Sequence, residues 1–115
     1  MIIVTARLVF DNRRARDAAV AATVAIQQAT RDDEPGSEMY CIGPDPAVPN
    51  EIQVYDLWTH ADSLEAHFSH PNYAAMVDAL RGGPGFVESI NRLYVADDRG
   101  PVYGADGTAR IDALR

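Results

Sequence analysis

The stretch Ile2–Phe10, IIVTARLVF, constrains the fold more than any other part of the chain. Ile2, Val4, Ala6, Leu8 and Phe10 alternate on one face of a strand, and Ile3, Thr5, Arg7 and Val9 make the other. The first face is wholly apolar and must meet a core. The second is mixed.

The segment after this strand supplies a cover. DNRRARDAAVAATVAIQQAT reads as a helix, with Asp11 or Asn12 able to cap its free amides. Ala15, Ala19, Ala22, Ile26 and Ala29 fall at helical spacing, and small alanines would let the helix lie close to a sheet. Pro35 and Gly36 end it. EMYCIG reads as a second strand, PDPAVPN as a connection and EIQVYDLWT as a third strand, so a hairpin with a long loop is expected. In the third strand Ile52, Val54, Asp56 and Trp58 share one face; Gln53, Tyr55, Leu57 and Thr59 share the other. Neither face is cleanly polar, and the side carrying Tyr55 and Leu57 calls for a cover that a second subunit could provide.

THADSLEAHF opens the next helix, with Thr59 and Asp62 in a weak capping pattern and Leu64, His67 and Phe68 at i, i+3 and i+4. Pro71 suits the first turn of a further helix, in which Tyr73, Met76, Val77 and Leu80 form a stripe before Gly82 and Gly83 stop it. GFVESINRLYVA is a fourth strand. The order β-α-β-β-α-β predicts an α+β, ferredoxin-like fold: one antiparallel sheet with helices on one face. The expected domain covers residues 1–96, and 97–115, rich in Gly, Pro and charge, reads as a C-terminal extension.

Bulk properties exclude several functions. A chain of 115 residues fits one domain. A net charge of −7 lacks the positive footprint that phosphate backbones require, so nucleic acid is not an expected partner. No apolar run is long enough to span a membrane and no signal-peptide pattern opens the chain, which makes a cytoplasmic protein the default. The one cysteine, Cys41, cannot form an intrachain disulfide; it falls in an apolar run and reads as a small buried hydrophobe. No Walker loop, dinucleotide fingerprint or G-x-S-x-G elbow is present.

Chemistry concentrates in Tyr55–Tyr73, YDLWTHADSLEAHFSHPNY, which holds the only tryptophan, all three histidines and two of the five tyrosines. His67 lies on or beside the inward helix face and titrates in the range where a base is useful; the structural alternative is a helix-border histidine bonded to Asp56 or to a backbone carbonyl. Trp58 is a pocket wall or a core anchor, two roles that are compatible. Asp56 shares the Trp58 face, where a carboxylate needs a partner; it could orient His67 or satisfy backbone amides. Tyr40 could add a phenol to the same pocket or simply pack. His67 and His70, three apart, could bite a metal, but no third or fourth ligand is evident and no metal site is expected.

Taken together, VYDLWTHADSLEAHFSHPNYAAM resembles the antibiotic biosynthesis monooxygenase family, through Asp56, Trp58, Leu64, Ala66, His67, Pro71 and Tyr73. The resemblance implies a dimeric α+β barrel, in which two ferredoxin-like sheets pack through their open faces and each subunit keeps a pocket between its own sheet and helices. It also implies cofactor-independent oxygenation of phenols or quinols, with O₂ as co-substrate. The chain departs from the family pattern in four places. Asn72 stands where a second histidine is frequent, His70 where Thr or Ser is common, Asp56 where glutamate is usual, and Ala6 where haem-degrading relatives have asparagine. Haem cleavage is therefore not expected.

The resulting expectation is a homodimer that oxidises a small aromatic, polyketide-like substrate without a bound cofactor. His67 and Asp56 are the candidate catalytic residues, and Trp58, Tyr73, Asn72 and Tyr40 the candidate substrate-binding ones. Two alternatives remain: a non-catalytic dimeric binder or stress-associated module, and an isomerase or cyclase doing acid–base work in the same pocket.

Overall fold

A computed structural model describes all 115 residues. Strand β1 (Ile2–Phe10) leads into helix α1 (Arg13–Asp33), followed by β2 (Ser37–Pro44), β3 (Glu51–Trp58), α2 (Ala61–Phe68), α3 (Pro71–Arg81) and β4 (Phe86–Val95). The four strands form one antiparallel sheet in the order β2-β3-β1-β4. This is the expected ferredoxin-like α+β arrangement, with its second helical segment divided at Pro71 into α2 and α3. The sheet is open; one chain does not close a barrel.

The register fixes which residues share a face. Across the inward side run the rows Tyr40–Asp56–Val4–Leu93 and Ile42–Val54–Ala6–Asn91. The core is built on this side from residues such as Phe10, Ile52, Trp58, Leu64 and Met76. On the other side lie Ile3, Thr5, Arg7 and Val9 with Tyr94, Ile90, Tyr55, Leu57 and Met39, and no helix covers them. Strand β4 has few partners on either side: Leu93 and Val95 on the inward rows are as exposed as Ile90 and Tyr94 on the outer ones.

Helix α1 departs from the expected alanine stripe. Its buried residues are Arg16, Ala19, Thr23, Gln27 and Thr30, a face that is mostly polar. The reason is the backbone it meets. Gln27 brackets Ile42, donating to its carbonyl at 2.9 Å and accepting from its N–H at 3.0 Å. Arg16 Nη1 reaches the carbonyls of Asp45, Val48 and Glu51 in the β2–β3 connection. The helix thus satisfies the open edge of β2, which would otherwise expose unpaired groups. Ala15, Ala18 and Ala22 turn toward α3 and line a groove there.

Smaller expectations also shift. Asn12 caps α1, accepting from the Ala15 N–H. His60, not Thr59, is the N-cap of α2, and it makes no side-chain cap; Thr59 bonds instead to Gly36 and Glu38. Cys41 is exposed, because it follows the inward Tyr40 on an alternating strand. Phe68 is half exposed, its ring against Tyr73, while Leu64 and His67 are buried. Beyond β4, Ala96 exchanges backbone hydrogen bonds with Met1, and the chain continues into a Tyr103–Ala109 bridge and a short 3₁₀ turn at Ile111–Leu114.

Candidate active site

The site is assembled around His67. Alternation along β3 sends Trp58 and Asp56 inward, and helical spacing on α2 sends His67 inward beside Leu64. The imidazole lies over the indole of Trp58, ring centroids 4.7 Å apart, with Tyr40 and Tyr73 edge-on at 5.4 and 5.3 Å. Trp58 is fully buried beneath His67, a core anchor behind the cavity rather than part of its wall.

The carboxylate on His67 is Glu34, not Asp56. Glu34 Oε1 lies 2.7 Å from His67 Nδ1, and both side chains are almost wholly buried. A carboxylate can only accept there, so Nδ1 carries a proton. Nε2 makes no hydrogen bond. Glu34 Oε2 accepts from Asn72 Nδ2 at 3.0 Å and has His70 Nδ1 at 3.8 Å. Asn72 therefore braces the carboxylate, and His70 caps α3 by accepting from the Asn72 N–H. Glu34 is not among the residues that the sequence singles out, because it occupies the C-cap of α1 in a polar stretch, RDDEPGS. The tight turn after it could have flagged it. Gly36 has φ 87° and a Cβ there would overlap the Ser63 side chain, so the turn packs directly on α2.

Next to this cluster is a cavity of about 310 Å³ between the sheet and helices α2 and α3. His67, Tyr40, Tyr73 and Asp56 all line it, and the small inward residues Val4 and Ala6 of β1 leave the room. Asn91 and Leu93 of β4 line it as well, and both are exposed, so the cavity opens to solvent under that strand.

Asp56 differs from Glu34 in having no partner. It is buried, and its Oδ1 meets no hydrogen-bond donor. Burial pushes its carboxyl up to about 7; the nearby indole N–H of Trp58 offsets this in part but has no acceptor in hydrogen-bond geometry. Burial also raises the Tyr40 phenol, with the negative charges of Asp56 and Glu34 adding to the effect, so the phenol stays protonated. Nowhere do three or more His, Cys, Asp or Glu side chains converge in a way that could hold a metal ion. No helix is long and apolar enough to cross a membrane.

The sequence profile of the antibiotic biosynthesis monooxygenase family matches residues 1–79. The chain belongs to this family. Solved structures share its fold at low sequence identity. A candidate antibiotic biosynthesis monooxygenase from Deinococcus radiodurans is 23% identical with a TM-score of 0.75, covering 90% of this chain and 100% of its own. Another from Nitrosomonas europaea is 18% identical with a TM-score of 0.70, over 84% and 98% of the two chains. SnoaB, a cofactor-independent oxygenase from Streptomyces nogalater, is 17% identical with a TM-score of 0.61, over 84% and 93%. No curated protein matches in sequence.

Proposed function

We propose that this family member is a cofactor-independent monooxygenase of a phenolic or quinol substrate, with O₂ as co-substrate. The observation that carries the reading is His67 on the wall of a largely apolar cavity, with Glu34 bonded to its Nδ1. A quinol supplies its own electrons once it loses a proton, since the anion gives an electron to dioxygen far more readily than the neutral ring. His67 Nε2 is the base for that proton, and Glu34 is a positioning residue that fixes its tautomer. Tyr73 and Tyr40 hold the ring between apolar surfaces. The reaction balances as quinol plus O₂ giving hydroxyquinone plus water: four electrons leave the ring, one oxygen atom enters it and the other departs as water. Family membership and the fold shared with SnoaB support this reading.

The proposal includes a homodimer formed through the outer sheet face. Its support is the uncovered set Ile90, Tyr94, Met39, Tyr55 and Leu57, none of it buried within the single chain. Oxygen uptake with a panel of substituted naphthalene-1,4-diols, corrected for autoxidation, tests the chemistry. One O₂ consumed per product and a loss of roughly 10²-fold or more in His67→Ala are expected. Equal turnover under nitrogen, or full activity in His67→Ala, would show the reading to be wrong. Equal anaerobic turnover would point instead to an isomerase, which the presence of His67 and a buried Asp56 on one cavity would serve.

A further inference from the structure

The oxygenase reading uses His67 and its carboxylate, and leaves the buried acid that lines the cavity without a task. Asp56 lines the same cavity, its residue surface is 7% exposed, and its Oδ1 has no hydrogen-bond partner. In register it lies between Tyr40 on β2 and Val4 on β1, and the next inward row is Ile42, Val54 and Ala6. An orphan carboxyl oxygen in apolar surroundings is costly unless a ligand completes it.

The groups facing Asp56 leave it no protein partner. Tyr40 comes from β2, His67 from α2 and Tyr73 from α3, and the indole N–H of Trp58 lies nearby without reaching hydrogen-bond geometry. The cavity's two arginines are engaged elsewhere: Arg81 lies over the Phe86 ring and Arg92 Nη1 donates to the Asn91 carbonyl. No cation is bonded to Asp56, and burial favours its neutral form. In its neutral form Asp56 turns an O–H to the cavity, beside the His67 ring and the phenols of Tyr40 and Tyr73.

We propose that Asp56 is a hydrogen-bond donor that binds a carbonyl oxygen of the ligand. This rests on the reading of the cavity as the ligand site. It does not depend on oxygen chemistry, so the two can fail separately.

The probe is 1-tetralone, which has a carbonyl on a fused ring, does not titrate and does not react with oxygen. Its Kd is measured by equilibrium dialysis from pH 5.5 to 8.5. The native protein is expected to bind it at the acid end and to weaken roughly fivefold to tenfold on passing pH about 7, the value of one neutral hydrogen bond, as Asp56 ionises and repels the carbonyl. Asp56→Asn keeps an N–H donor and should bind at the acid-end strength across the whole range. Asp56→Ala should bind weakly throughout. Binding that strengthens with pH, or a pH dependence that persists in Asp56→Asn and therefore belongs to His67, overturns the proposal. So does failure of the native protein to bind the ketone at pH 5.5. If the ketone binds as expected but quinols consume no oxygen, only the oxygenase reading falls.

Discussion

Two buried carboxyl groups shape this site, and their partners separate them. Glu34 bonds to His67 and Asn72 and has His70 close by, whereas Asp56 has none. Removing Glu34 strands the buried His67 donor and the half-buried Asn72 amide. Glu34→Ala is expected to cost about 2–4 kcal/mol in urea unfolding, and Glu34→Gln, which can still accept from His67, less than half of that. Asp56 acts in the opposite direction. Its carboxyl ionises at 3.8 in its ordinary state and keeps its proton to about 7 when folded. Between those values the folded state binds more protons than the unfolded one, so stability falls as pH rises through the window and levels off above it. Asp56→Asn, which cannot ionise, should therefore be more stable than the native protein by ~2–4 kcal/mol at pH 8, with the gain nearly gone at pH 4. A gain that stays constant with pH in chemical denaturation would show that burial of this charge is not the cause.

At the scale of elements, the cavity exists because the inward row of β1 is tapered. Ala6 lies between Val54 and Asn91, and neither α2 nor α3 fills the space above it. Ala6→Leu puts side-chain volume where there is now void. Thermal and urea unfolding should show stability within about 1 kcal/mol of the native protein or slightly above it. Binding of 1-tetralone should nevertheless fall by roughly tenfold, because the ligand and the new side chain compete for one volume. A loss of several kcal/mol would mean that the floor is closely packed and that the cavity is not where the structure places it. The alternation of β1 and β3 was legible from sequence because a period of two needs only the apolar pattern to be seen. The buried face of α1 was not, because Arg16, Thr23 and Gln27 are polar. They are buried by what they bond to on the neighbouring strand and loop, a partner no helical pattern reveals.

For the whole molecule, the open sheet face decides whether one chain is complete. Ile90 and Tyr94 of β4 project from the uncovered side with Met39 of β2. If that face is the homodimer interface, a charge placed on it should abolish association. Sedimentation is expected to give a dimer for the native protein and a monomer for Ile90→Lys and Tyr94→Lys, with unfolding made concentration-independent by the change. A native protein that stays monomeric at high micromolar concentration would remove the dimer from the proposal.

The sequence by itself determined the strand and helix order, the ferredoxin-like topology, the family, and the inward placement of Asp56, Trp58 and His67. Each comes from short-range periodicity or from a motif within a few residues, and such signals survive in one dimension. Tertiary structure alone decided which acid serves the histidine. Glu34 and His67 are 33 positions apart and meet only because the Pro35–Gly36 turn packs the end of α1 against α2. It also left Asp56, only two residues from Trp58, without a partner. A carboxyl group's role depends on the donors that reach it, and those donors are set by packing between elements, which the order of residues does not state.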